Sequence, residues 1–137
     1  MLNINEDILL NRAGDYSTYI KGKRYYSEGR IIKLGSNFEN DYFESVVKGN
    51  LNYQVSIRFD DKGEIISSHC TCPAYEKYTG DCKHIVATLN CIRNLDLEGK
   101  LRKKDDGEGI LNIIDYYRQS YEEERKFLNL EFNYEFD

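Results

Sequence analysis

The stretch CTCPAYEKYTGDCKHIVATL (residues 70–89) sets three cysteines and a histidine, Cys70, Cys72, Cys82 and His84, in the order C-x-C-P-x8-C-x-H. Three thiolates and one imidazole are enough to close a tetrahedral zinc site, with no position left for water or substrate. A closed donor set of that kind holds a fold together and does no chemistry. Two other readings of the same residues are a disulfide pair and plain buried thiols. A disulfide framework suits an oxidising compartment, whereas clustered cysteines in a reducing one are more often metal ligands or catalytic groups.

The local sequence suits the metal reading. At the end of a strand, residues i and i+2 point to one side, so Cys70 and Cys72 face together. Pro73 fixes the backbone just after the second thiol and has no N–H to leave unpaired. The excursion 73–81 lets the chain return, and Asp81 is placed to cap a helix beginning near Cys82 and His84. The positive end of that helix favours thiolate. Three thiolates on a divalent ion leave one negative charge, which Lys83 and Lys77 are placed to offset. His69 lies next to Cys70 and therefore on the opposite strand face, as a surface imidazole. Cys91 is seven residues past His84, ~10 Å along a helix, too far to share the ion, and reads as a small core side chain.

Working outward, residues 64–70 (EIISSHC) read as the strand that delivers Cys70. Before it, LNYQVSIRF (51–59) alternates Leu51, Tyr53, Val55, Ile57 and Phe59 with polar residues, the period of a half-buried strand. DYFESVVKG (41–49) and RIIKL (30–34) complete an antiparallel meander, with Gly49-Asn50 and Asp61-Lys62-Gly63 at its turns. Residues 15–28 read as a helix with Asp15 as N-cap, Gly29 as terminator and Tyr16, Tyr19, Ile20 and Tyr26 as its apolar stripe. Gly22 fits poorly in its interior. After the ligand loop, HIVATLNCIRNLDLEG reads as a helix closed by Gly99, with Ile85, Leu89 and Ile92 on one side and Val86 beside them. The expected class is α+β: an N-terminal helix, an antiparallel meander, the zinc loop with its helix, then a C-terminal helix and strand. Residues 1–99 form the expected module and 100–109 a polar linker. Residues 110–137 hold a helix (about 110–127) and the alternating strand LNLEFNYEFD (128–137). That strand needs partners. It either pairs back with the meander or, the favoured reading, opens a following region that is cut off.

The 137 residues match the length of one domain. No apolar run reaches the ~18 residues of a membrane span, and acidic residues stand where a signal peptide carries bases. A soluble, cytoplasmic protein is expected, nucleoid-associated if it binds DNA. The net charge of −5 is unevenly spread: residues 1–20 carry −2, residues 21–104 carry +4 and residues 105–137 carry −7. The stretch around the metal ligands is therefore mildly basic, and the acidity lies in the flanks. Tyr25 and Tyr26, with Lys21, Lys23, Arg24, Arg30, Lys33, Lys77 and Lys83, are candidate nucleic-acid contacts by stacking and phosphate pairing. The competing reading packs the tyrosines in a core with their hydroxyls reaching water.

The ligands, in this order, resemble the SWIM zinc finger, whose pattern is C-x-C, a variable gap, then C-x-H. KGKRYYSEGRI (21–31) is similar to the lead-in helix and turn of bacterial members, and 70–89 to their metal loop and helix, so the likeness covers roughly 15–97. It implies zinc on Cys70, Cys72, Cys82 and His84. It also implies a place at the N-terminus of a Swi/Snf-type helicase, where such modules precede an accessory region and the ATPase motor. DNA binding or protein contact is the function proposed for SWIM fingers. No G-x-x-x-x-G-K-[ST] phosphate loop occurs in the chain, so the motor would lie elsewhere in the polypeptide. Two functions follow as expectations: a zinc module that helps a motor engage DNA, and a protein or intramolecular docking module. A cysteine-dependent enzyme is a distant third, since zinc would hold both the nucleophile and the base.

Overall fold

The computed structural model describes residues 2–37, 39–77 and 80–101. The chain runs α1 (Glu6–Ala13), α2 (Tyr16–Ser27), β1 (Ile31–Ser36), β2 (Tyr42–Lys48), β3 (Asn52–Phe59), β4 (Ile65–Cys70), α3 (Pro73–Lys77) and α4 (Lys83–Leu97). The strands form one antiparallel sheet in sequence order. This is the expected α+β meander, with two short additions. α1 is a second N-terminal helix, held by Asn5, whose side chain accepts from the Ile8 N–H, and ended by Gly14 at φ 85°. α3 is a single turn inside the ligand loop, and Pro73 stands at its first position, where a fixed φ and a missing N–H cost nothing. The expected helix 110–127, the strand 128–137 and all but the first two linker residues lie outside the described residues.

Strand alternation sorts the side chains as the period of two requires. Phe43, Val47, Val55, Ile57 and Phe59 are buried on the inner face, with the Phe43 and Phe59 rings edge to face at 5.6 Å. Leu51 departs from the expected alternation: it is 68 % exposed, because it belongs to the β2–β3 turn rather than to β3. Tyr16 also leaves the predicted stripe and is exposed, standing at the first position of α2 where the helix has no neighbour to cover it.

α4 is the axis of the core. Every residue from His84 to Ile92 is buried, since α2 packs on one side of this helix and the inner sheet face on the other. Thr88 is fully buried with its hydroxyl 2.7 Å from that of Ser45 on β2, and it donates to the His84 carbonyl at 3.0 Å. A Cβ at Gly22 would stand 2.4 Å from Val86 Cγ1, which explains a glycine in the interior of α2: the two helices cross there in near backbone contact. Farther along the crossing, Asn94 donates to the Tyr26 hydroxyl at 2.7 Å. Glu6 ties α1 into the same layer by accepting from Tyr19, Lys23 and Arg93. The Tyr19 hydroxyl is the first of the causes that hold the Glu6 carboxyl below its ordinary range. Leu101 is buried, and Asn40 in the β1–β2 turn donates to its carbonyl, so the chain stays on the core past Gly99.

Gly22→Ala is expected to destabilise the fold by about 1–3 kcal/mol through overpacking, although Ala is the better helix former. Thermal unfolding of the zinc-loaded protein measures this. An unchanged or raised midpoint would show that the crossing has room to spare.

Candidate metal centre

Three elements position the ligands. β4 ends at Cys70, Cys72 stands two residues further on, immediately before α3, Cys82 is the N-cap of α4, and His84 lies in its first turn. The two thiols of C-x-C share a side because sheet pairing continues past β4: the Thr71 N–H donates to the Gln54 carbonyl, and the Gln54 N–H to the Thr71 hydroxyl. All four ligands are buried, and their donor atoms lie within 4.8 Å of one another. His84 Nδ1 is 3.7 Å from both Cys70 Sγ and Cys82 Sγ. Zinc–sulfur and zinc–nitrogen bonds of ~2.3 and ~2.0 Å at tetrahedral angles place sulfur and nitrogen about 3.5–3.6 Å apart. The residues therefore fit a four-coordinate zinc ion, with Nδ1 as the imidazole donor.

The remaining imidazole nitrogen supports the same assignment. Nε2 of His84 is buried without a hydrogen-bond partner among the described residues. The ring lies between Tyr53, at 4.6 Å between centroids, and Tyr25, at 5.6 Å and edge-on. Nε2 sits against Gly49, where a Cβ would be only 3.4 Å away. Packing rather than a carboxylate fixes this ring, and with Nε2 walled in, Nδ1 is the nitrogen aimed at the thiols.

The acid–base state of the sulfurs suits a cation. The hydrogen bond from Cys70, reinforced by His84, lowers the Cys82 thiol to about 4. The same pairing, with burial, pushes Cys70 far up, and burial followed by the charge of Cys82 raises Cys72. One buried thiolate thus suppresses the next. A divalent ion removes the conflict by holding all three as thiolates. Cys91 is buried away from the cluster and its thiol is raised by burial alone in the main, in keeping with a core side chain.

Asp81 does not cap α4. Cys82 is the N-cap, without a side-chain hydrogen bond. The Asp81 carboxylate instead accepts from Arg12 Nε at 2.6 Å and from Ser68 Oγ at 2.8 Å, while its N–H donates to the Arg12 carbonyl at 2.7 Å. A Cβ at the preceding Gly80 would stand 2.5 Å from that same carbonyl. The returning limb of the ligand loop is therefore fastened to the end of α1, and the Tyr75 hydroxyl fastens α3 to the Ser68 carbonyl. No local sequence signal pointed to Arg12, which lies 69 residues from Asp81.

Residues 53–93 match the SWIM zinc finger family, from β3 through most of α4. The chain contains a SWIM zinc finger. The similar-looking lead-in 21–31 precedes the matched residues. No curated protein and no solved structure matches the chain. Zinc in this finger is structural, and Cys70, Cys72, Cys82 and His84 are the residues that would hold it.

The candidate nucleic-acid residues divide into groups. Arg30 and Lys83 stand over the Tyr25 ring, 4.5 and 5.1 Å from its centroid, beside the SWIM site. Lys21 is exposed one turn before Tyr25 on the same face of α2, and Arg24 is exposed next to it. Lys23 instead pairs with Glu6 at 3.1 Å. Tyr26 turns toward α4, Lys77 is exposed at the end of α3, and Lys33 is on the outer face of β1. His69 projects from the outer face of β4, against the edge of Tyr75.

Because Cys70 and Cys72 hold protons in the metal-free site, zinc binding at neutral pH should release about two protons. Affinity should therefore rise with pH and fall on acidification. Calorimetry in buffers of different ionisation enthalpy counts the protons; uptake, or no proton change, would contradict the thiolate assignment.

Proposed function

We propose that this SWIM module binds nucleic acid through the cationic surface beside its zinc site, as one part of a larger Swi/Snf-type motor protein. The convergence of Arg30 and Lys83 on Tyr25 carries the reading. These residues come from α4, the end of α2 and the start of β1, and the fold gathers two cations on one ring that itself packs against a zinc ligand. Lys21 extends the surface along α2. Such a surface attracts phosphates and offers cation-backed aromatic contact. Zinc orders it, since the ion fixes His84 and His84 backs Tyr25.

Two of the predicted contacts already face a carboxylate: Lys23 pairs with Glu6 at 3.1 Å, and Arg30 pairs with Glu28 at 2.8 Å while it covers the Tyr25 ring. A docking module would use a contiguous apolar patch. The exposed large apolar residues among those described, Leu10, Tyr16, Leu51, Ile66 and Leu97, belong instead to different elements.

The double reversal Arg30→Glu/Lys83→Glu in the zinc-loaded chain is expected to weaken DNA binding at least ~tenfold. It should also lower the salt dependence by about two phosphate contacts. Fluorescence anisotropy across a salt series reads both. Parent-like affinity and slope in the double variant would remove this surface from the interface.

A further inference from the structure

The outer face of the sheet carries an open trough of about 570 Å³ of mixed polar and apolar lining, within the ~300–1,000 Å³ range of ligand sites. Strand register arranges it in rows. One row runs Lys33, Val46, Gln54, Thr71 from β1 to beyond β4. The next runs Gly35, Glu44, Ser56, His69, and Tyr42 borders it with Arg58 as its cross-strand neighbour. Strand spacing makes each row about 14 Å across, with rows about 7 Å apart. Arg58 covers the Tyr42 ring at 4.5 Å, and the Tyr42 hydroxyl donates to Glu44 at 2.7 Å.

We infer that this trough receives the unpaired bases of a single-stranded nucleic acid. The inference rests on the nucleic-acid reading above and extends it to the form of the strand. The charge pattern selects the ligand. Lys33 lines the trough and Arg58 stands beside it over Tyr42, and both suit phosphates, while Glu44 lies inside it, where a bare anion would be repelled. A nucleotide satisfies both conditions, because its phosphate seeks these cations and its base presents N–H groups to a carboxylate and an amide such as Glu44 and Gln54. His69 and the face of the Tyr42 ring away from Arg58 add planar surfaces on which bases stack regardless of sequence. An extended peptide would seek a strand edge, since strand addition uses backbone groups that a sheet face has already spent. A duplex keeps its bases paired and stacked and cannot offer them to a trough this narrow. Arg30 donates to the Lys48 carbonyl at 3.2 Å, at the end of the sheet next to the Lys33 row.

The test compares a labelled single-stranded DNA of mixed sequence with its duplex, using the zinc-loaded full chain. Tyr42→Ala/His69→Ala should weaken single-strand binding about tenfold or more and leave the salt slope and the melting midpoint near the parent's. Ultraviolet crosslinking of 5-bromodeoxyuridine DNA to the unmutated protein should mark Tyr42 or His69. If the parent binds single strands, the double variant binds them equally well and crosslinks fall elsewhere, the trough is not the platform, although nucleic-acid binding stands; a trough built for peptide gives this result. If the parent binds neither strand form even at low salt, the nucleic-acid reading itself fails.

Discussion

Three buried sulfurs and one imidazole nitrogen lie within 4.8 Å of one another, a donor set that a divalent cation can hold with all three sulfurs as thiolates. In its absence one thiolate forms at Cys82, its neighbours are forced to keep their protons, and the site works against itself. With zinc, the same four groups join the end of β4, the turn of α3 and the start of α4 at one point. Structural zinc sites contribute ~10–16 kcal/mol of apparent binding energy, as much as the whole net stability of a typical domain. The remaining architecture supports or exploits that join.

The support is distributed. The Arg12–Asp81–Ser68 cluster secures the returning limb of the loop. The Ser45–Thr88 contact and the bond from Thr88 to the His84 carbonyl set the height of the histidine over the sheet. Tyr53, Tyr25 and Gly49 enclose the imidazole. The Tyr25 ring that packs against His84 also carries Arg30 and Lys83. One side chain thus links the interior zinc site to the exterior charge.

The ligand set, the strand order, α2 with its Asp15 cap and the apolar stripe of α4 were legible in the sequence because each rests on local spacing or periodicity; the burial of α4 on its other faces was not, since it depends on α2 packing there. Other features were not. α1 has eight residues and a weak apolar stripe, and its place depends on Glu6 meeting Tyr19, Lys23 and Arg93 from two other helices. Asp81 has the residue type and position of a cap, but a guanidinium distant in sequence competes for it and wins at 2.6 Å. Leu51 continues the alternation of β3 in sequence but lies in a turn, which periodicity alone does not reveal. The basic residues were legible as composition, and only the tertiary fold separates Lys23, paired with Glu6, from Lys83, placed over Tyr25.

The zinc site thus backs the Tyr25 ring, and with it Arg30 and Lys83. X-ray absorption spectroscopy of the zinc-loaded protein tests that foundation most directly. The account predicts a four-coordinate ion with three sulfur neighbours at ~2.3 Å and one imidazole nitrogen at ~2.0 Å. An additional oxygen neighbour, or a shell with fewer than three sulfurs, would contradict it.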